Sequence, residues 1–198
     1  MTTTSPASAT DADLLRLLRS GDAAAFQQLY RRHQGPLFRF AVLRSGSPDT
    51  AADIVQEVFM GLLTGSFHFD PLRGMLGNFL FGVARKLILK HEAPRLREQP
   101  LPELDEDDGD KEAACEAHEP LARLLSDEMA EQVRRAIAQL PPHYRDVVIL
   151  YELHELAYLD IAEICQLEIG TVRSRLSRGR AAMAKRLAAY RPATMNAA

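Results

Sequence analysis

The sequence predicts an all-α fold made of two small helical domains joined by a flexible acidic linker. Leu, Ala, Arg and Glu dominate the 198 residues, only 7% are aromatic, and no Val-, Ile- or Thr-rich stretch alternates with period two. The chain is 46% hydrophobic and 26% charged, values that are ordinary for a globular protein. A net charge of −3 conceals two basic regions on either side of an acidic one.

The uneven distribution of charge defines the predicted domains. Seven basic residues and no acid lie from Ile169 to the C-terminus, and six basic residues against one acid lie from Leu72 to Arg97. Between Glu98 and Glu119 there are ten acids and one lysine, and such a segment cannot bury enough apolar surface to fold. The predicted organisation is a disordered N-terminus (1–10), a first domain (11–95), a flexible acidic linker (96–120), a second domain (121–190) and a tail (191–198).

Two helices are predicted at the start of the first domain. Thr10 or Asp11 caps a short helix that runs to Ser20. Asp22 caps a longer one, which the pair Gly35-Pro36 bends or divides. The predicted core face of the longer helix consists of Phe26, Leu29, Tyr30, Leu37, Phe38 and Val42.

A third helix is predicted from its N-cap Ser47, which precedes Pro48, to about Thr64. Its apolar stripe consists of Ala51, Ile54, Val55, Val58 and Leu62. The opposite face presents Asp49, Asp53, Gln56 and Met60, with Glu57 at its margin. Acids, an amide and an exposed Met suit docking to a basic partner, and an ordinary solvated acidic face explains the pattern equally well.

The rest of the first domain combines a loop with a basic helix. An irregular, aromatic-rich stretch, GSFHFDPLRGMLGN, follows the third helix. A basic helix is then predicted from about Phe79 to His91, and Pro94 closes the domain.

The second domain is predicted to contain four helices, at about 121–139, 143–153, 158–166 and 170–189. Pro141-Pro142 separates the first helix from the second, and a turn after His154 separates the second from the third. The last two are joined by a short turn at Leu167–Ile169, which predicts a helix-turn-helix.

The final helix has one apolar and one basic face. At 100° per residue, the side predicted to be buried consists of Val172, Leu176, Gly179, Met183 and Leu187. The outward side carries Arg173, Ser174, Ser177 and Arg178, with Arg175 on the flank and Thr171 at the helix start. Arg forms bidentate contacts with guanine edges and phosphates, and Ser allows close approach, so this face is predicted to contact DNA rather than to be merely a solvated basic helix.

A long motif in the second domain carries a family resemblance. The stretch LPPHYRDVVILYELHELAYLDIAEICQLEIGTVRSRLSRGRAAM resembles region four of bacterial sigma factors, the module that binds the minus-thirty-five promoter element. Its most specific parts are G-T-V-R-S-R at 170–175 and L-P at 140–141. The resemblance implies DNA contacts for Thr171, Arg173, Ser174, Arg175, Ser177 and Arg178. Ala157 departs from the family, which usually has a Ser or Thr cap there.

The third helix of the first domain also carries the resemblance. The segment DTAADIVQEVFMGLL is similar to sigma region 2.2, whose D-x-x-Q-E-x-F pattern grips a coiled coil of the polymerase. The resemblance implies that Asp53, Gln56 and Glu57 contact core RNA polymerase, beside Asp49 and Met60 on the same face. Phe59 is interpreted as a packing residue.

In sigma factors the loop and the basic helix that follow contact the minus-ten element, where a base is flipped out and a strand is held. The resemblance therefore makes candidates of Phe67, Phe69, Arg73 and Asn78 in the loop and of Arg85, Lys86 and Lys90 in the helix. The two phenylalanines are equally suited to anchoring the core. This part departs most from the family, at Ala52, Phe79-Leu80, Lys86, Lys90 and Ala93-Pro94.

With both motifs in order, the chain resembles the sigma-70 family, extracytoplasmic-function (ECF) subfamily. The resemblance implies a promoter-specificity subunit whose partners are core RNA polymerase and promoter DNA, without a cofactor. Members of this class are often restrained by an anti-sigma factor. The start of the chain has no signal-peptide pattern and no stretch of about 18 apolar residues occurs, so membrane insertion is not expected and a cytoplasmic location is.

No catalytic set or metal site is evident. His154-Glu155 begins a zinc-protease-like pattern, but Tyr158 stands where the second ligand is needed, and Cys115 with His118 has no second ligand pair. Two other classes of function are alternatives. A stand-alone dimeric helix-turn-helix transcriptional regulator would bind palindromic sites without polymerase. A resolvase-like recombinase would need a nucleophile or carboxylate cluster in the first domain.

Overall fold

The computed structural model describes residues 9–96 and 127–188, and within these two stretches all regular elements are helical. The predicted all-α fold is confirmed. Most of the predicted linker, including Cys115, lies outside the described residues, as do the tail and most of the predicted N-terminal segment. The chain divides into two compact units: the first runs to Ile88 and also includes Glu163–Cys165, and the second holds the remainder. The domain boundaries at 95 and 121 stay predictions.

The described helices are α1 (Asp11–Arg19), α2 (Ala23–Ser45), α3 (Pro48–Thr64), α4 (Leu76–Leu96), α5 (Asp127–Ala138), α6 (Pro142–Val148), α7 (Tyr158–Cys165) and α8 (Ile169–Ala188). None of them is long and apolar enough to cross a membrane.

The caps predicted for the first three helices are present. The Thr10 hydroxyl accepts a hydrogen bond from the backbone N–H of Asp13, whose carboxylate reaches back in a capping box. The carboxylate of Asp22 caps α2, and the hydroxyl of Ser47 accepts from the N–H of Thr50 ahead of Pro48. These side chains satisfy backbone donors that have no partner inside a helix, so each helix begins where the sequence predicts.

The core face of α2 differs from the prediction. Leu29, Leu37 and Phe40 are buried, whereas Tyr30 and Phe38 are 36% and 39% exposed. At 100° per residue, Leu29, Leu37 and Phe40 lie within one sector, and Phe38 points well away from it. The helix continues through Pro36 and is not divided there. Because residues on both sides of Pro36 are buried, tertiary packing stabilises the helix on either side of the proline.

The basic helix is longer than predicted at both ends. It begins at Leu76 rather than Phe79, which places Asn78 in its first turn instead of in the loop. It continues past Pro94 to Leu96. A proline in the last turn removes one backbone hydrogen bond but does not prevent the final residues from remaining helical. Before it, Pro71–Arg73 form a short 3-10 turn capped by Asp70.

In the second unit, α5 and α6 pack against α8. The helix predicted at 143–153 is α6 followed by a π-helical turn, Ile149–Leu153. Gly179 of α8 lies against α6, where an added Cβ would come within 2.6 Å of a methyl group of Val148. The guanidinium of Arg145 donates to the carbonyl oxygens of Ala138 and Leu140 and so caps the end of α5. Residues 121–126 and 189, predicted as helical, lie outside the described residues.

The turn between α7 and α8 completes a helix-turn-helix. Gln166 adopts a left-handed conformation with φ of 57°, and the N–H of Leu167 donates to the carbonyl of Ala162 at 2.9 Å. This is the hydrogen bond of a Schellman motif, which ends a helix and redirects the chain within two residues.

Candidate DNA and partner interfaces

The outward face of α8 is arranged as the helical wheel predicts. Arg173, Ser174, Ser177 and Arg178 are exposed, while Val172, Leu176 and Gly179 are buried on the opposite side. The hydroxyl of Ser174 donates to the backbone carbonyl of Thr171, 3.1 Å away, which keeps this side chain close to the helix. The face therefore presents long cations between short polar residues, a surface that fits a DNA groove.

Arg175 and Thr171 lie at the margins of this face and are half-buried. The charge of Arg175 acts on His143 at the start of α6. Partial burial lowers the pKa of His143, and the nearby Arg175 lowers it further, against the opposing effect of Asp146. A second cation is therefore disfavoured beside Arg175.

A chain of aromatic and guanidinium contacts, which no sequence pattern predicts, connects α8 to the segment before it. The rings of Tyr151 and Tyr158 are stacked, with centroids 5.1 Å apart and planes 19° apart. The guanidinium carbon of Arg173 lies 5.7 Å from the Tyr158 centroid, and that of Arg180 lies 4.9 Å from the Tyr151 centroid. Nε of Arg180 also donates to Glu152 at 2.6 Å.

In the first unit, α3 presents the predicted acidic face to solvent. Asp49, Asp53, Gln56 and Glu57 are exposed, and Met60 is 49% exposed. The predicted apolar stripe of α3 is buried, and so is Phe59, which supports its interpretation as a packing residue. Exposed carboxylates beside a flexible thioether form a surface suited to a basic partner.

Beside this face an apolar groove of about 560 Å³ lies between α2 and α3. Phe26, Tyr30 and Phe59 form its aromatic wall, in which the Tyr30 and Phe59 centroids are 4.7 Å apart. Phe38 and Met60 also line it. The groove went unpredicted because Tyr30 and Phe38 were assigned to the core.

The loop between α3 and α4 is held by its aromatic residues. The ring of Phe67 lies directly over Gly61 of α3, where an added Cβ would be 2.1 Å from ring carbons. Phe69 is buried, and its centroid is 5.3 Å from that of Phe79. The guanidinium of Arg19 donates to the carbonyl of Phe69 at 3.1 Å. These contacts favour the anchoring role that the sequence left open for both phenylalanines.

The other residues predicted to hold a DNA strand at the minus-ten element differ in their exposure to solvent. Lys86 and Lys90 are exposed, Arg85 is half-buried, and Asn78 is buried at 7% exposure. The side chain of Arg73 lies outside the described part of the chain. Leu72 and Met75, which sequence reasoning passed over, are 94% and 69% exposed. The most accessible apolar groups of the loop are thus aliphatic, and DNA contact by the predicted residues stays a prediction.

Comparisons with known proteins match both units. The family model for sigma-70 region 2 matches residues 29–95, and the family model for sigma-70, region 4 matches residues 130–183. These two segments contain the acidic face of α3 and the basic face of α8, respectively.

Several curated relatives match most of the chain. It is 30% identical over 183 residues to the RNA polymerase sigma-H factor of Pseudomonas aeruginosa, covering 89% of this chain and 93% of that protein. It is 31% identical over 180 residues to the ECF RNA polymerase sigma factor SigM of Mycobacterium tuberculosis, covering 89% of this chain and 84% of that protein. It is 30% identical over 180 residues to the ECF RNA polymerase sigma-E factor of Escherichia coli, covering 88% of this chain and 92% of that protein.

Two solved structures are similar in fold. One is the sigma factor RpoE of Bartonella quintana in complex with the anti-sigma factor NepR, with 27% identity, a TM-score of 0.61, and coverage of 84% of this chain and 98% of that chain. The other is CnrH in complex with the cytosolic domain of CnrY, with 23% identity, a TM-score of 0.62, and coverage of 90% and 97%.

Proposed function

The chain belongs to the ECF sigma factors of bacterial RNA polymerase, and we propose that its two units divide the work of transcription initiation between the α3 face and the α8 face. As a sigma factor it binds core RNA polymerase and directs promoter recognition. The proposal concerns which residues perform each step. The observation that carries it is that one chain exposes an acidic face in its first unit and a basic face in its second.

Core polymerase binds, in this proposal, to α3 through Asp49, Asp53, Gln56, Glu57 and Met60. The adjacent groove gives this surface an apolar centre beside a polar rim, which is the usual anatomy of a protein interface. The exposed carboxylates steer a basic partner helix toward it and set its register.

Promoter DNA is contacted by both units. Arg173, Ser174, Ser177 and Arg178 enter the groove of the minus-thirty-five element, and Thr171 and Arg175 hold the flanking backbone. At the minus-ten element, Lys86, Lys90 and Arg85 attract the strand, while Phe67 and Asn78 support the loop that carries Arg73. The protein performs no covalent chemistry: it positions a polymerase that does, and it acts in the cytoplasm.

An anti-sigma factor is a further expected partner. The similar structure from Bartonella quintana contains one. On this chain, the acidic face and groove of α3 are the surface that such a protein would need to cover in order to exclude core polymerase.

Run-off transcription tests the proposal. Purified core with this chain is expected to initiate from a promoter upstream of the chain's own gene, and core alone is not. Arg173→Ala should lower promoter binding by about 5- to 150-fold, the value of one bidentate base contact, while core still co-purifies with the variant. A chain that neither retains core nor yields a transcript, or that binds palindromic DNA as a dimer without core, would contradict it.

A further inference from the structure

We infer that Tyr158 is a positioning residue for the promoter contact of Arg173, and that Tyr151, Arg180 and Glu152 hold Tyr158 in place. The inference rests on the proposed function, because it takes Arg173 to be a DNA contact. The observation behind it is the chain of contacts that runs from Arg173 through the two stacked rings to Arg180 and its carboxylate partner.

The two arginines belong to the same side of one helix. Arg173 and Arg180 are seven residues apart on α8, about two helical turns, so their side chains project in similar directions. The two rings come from the preceding segment: Tyr151 lies in the π-helical turn, and Tyr158 is the first residue of α7. The contacts therefore tie the DNA-facing side of α8 to the elements that support it.

The two ends of this chain differ in what restrains them. Arg180 is half-buried, and burial alone would lower its pKa. Its 2.6 Å ion pair and hydrogen bond with Glu152 outweigh this effect and raise the pKa of Arg180. Arg173 is exposed. Arg180 is thus the anchored end, and Arg173 is the end available to a ligand.

The contact with Tyr158 leaves the hydrogen-bonding capacity of Arg173 intact. A cation–π contact is an attraction between the positive charge and the face of the ring, and it uses none of the guanidinium N–H groups as hydrogen-bond donors. Arg173 can therefore keep its contact with Tyr158 while its N–H groups meet a base or a phosphate. An arginine that is already oriented loses less rotamer freedom on binding, so the cation–π contact strengthens the contact with DNA.

The geometric part of the inference is tested without DNA. In the free full-length chain, the Nε–Hε signal of Arg173 in NMR spectra should be shifted by the ring current of Tyr158. Tyr158→Phe retains an aromatic face and should preserve this shift, whereas Tyr158→Leu keeps apolar volume and should abolish it. A signal unchanged in Tyr158→Leu would overturn the inference.

The functional part is tested with holoenzyme and one defined probe, a DNA duplex selected in vitro from randomised sequences by core carrying the unmodified chain. Tyr158→Leu should weaken binding to that duplex about two- to fivefold, the value of an exposed cation–π contact, and Tyr158→Phe should bind as the unmodified chain does. In an Arg173→Ala background, Tyr158→Leu should cause no further loss.

Equal binding by the Leu and Phe variants, or a Tyr158→Leu loss that persists without Arg173, would overturn the inference and leave the proposed function standing. An Arg173→Ala variant that selects the same DNA with the same affinity would instead remove Arg173 from the proposed DNA contacts. The ring-current result would then still decide whether the stack exists.

Discussion

Gly61 is the residue in α3 where a single methyl group should have the largest effect. Its missing side chain leaves room for the ring of Phe67, which an added Cβ would approach to 2.1 Å. We expect Gly61→Ala to lower the free energy of unfolding by about 1–3 kcal/mol, because the ring must leave its site. Urea denaturation of the full-length chain measures this.

Gly77→Ala in α4 is the matched control. No proline follows Gly77, and its added Cβ would meet ring atoms of His33 at 3.8 and 3.9 Å, which are ordinary contacts. Replacing a helical glycine with alanine should then raise the free energy of unfolding by about 0.5–1 kcal/mol. If both variants change stability in the same direction, the packing of Phe67 on Gly61 is wrong.

His143 should titrate below its ordinary pKa of 6.5, because partial burial and the charge of Arg175 both disfavour its protonated form. The unfolded chain then binds a proton at this ring more readily than the folded chain does. This group's contribution to stability is complete above pH 6.5 and is lost progressively as the pH falls from 6.5 through the pKa of the folded state.

An NMR titration of His143 measures that pKa directly. Arg175→Gln should move it upward, toward 6.5, whereas Arg178→Gln, on the exposed face, should leave it unchanged. A midpoint at or above 6.5 in the unmodified chain would show that the imidazole and Arg175 do not interact as described.

The turn between α7 and α8 contains a residue whose backbone conformation favours glycine. Gln166 has a φ of 57°, a left-handed conformation that costs a residue with a Cβ roughly 1–2 kcal/mol. Gln166→Gly should therefore raise the free energy of unfolding by about 0.5–1 kcal/mol, since glycine's greater freedom in the unfolded chain offsets part of the gain. Ala181→Gly, at an exposed position inside α8, should lower it by about 1 kcal/mol, and equal signs for the two would refute the turn geometry.

The elements also show what a sequence can and cannot predict. Capping acts between residues a few positions apart, so the sequence predicts the caps Asp22 and Ser47 correctly and narrows the first cap to Thr10 or Asp11, of which the structure has Thr10. The exposed face of α8 likewise follows from the helical repeat. The packing of Phe67 on Gly61 and the contact of Arg173 with the ring of Tyr158 depend on how separate segments meet in space.

Two predictions based on local rules were wrong. The sequence predicts that the basic helix ends near His91, and α4 instead continues through Pro94 to Leu96. Tyr30 and Phe38 were assigned to a core, and instead they line a groove open to solvent. An aromatic residue on a helix is usually buried, and only the structure reveals the two that face a prospective partner.

At the scale of the whole molecule, the account assigns separate tasks to two faces of one sigma factor. In the proposal, the α3 face binds core polymerase, and the α8 face chooses the promoter. If the tasks are separable, a chain that has lost only promoter choice must still occupy core. It should then block initiation by the unmodified chain.

A competition run-off assay tests this claim most directly. Unmodified chain and excess variant are mixed before limiting core is added, and the transcript is quantified. The account predicts that Arg173→Ala suppresses the transcript in proportion to its excess. Asp53→Lys, which places a cation in the core-binding face, should not suppress it, and Glu155→Lys, with the same charge change at an exposed position of the other unit, should sustain normal initiation. Failure of Arg173→Ala to compete, or equal competition by Asp53→Lys, would contradict the division of tasks.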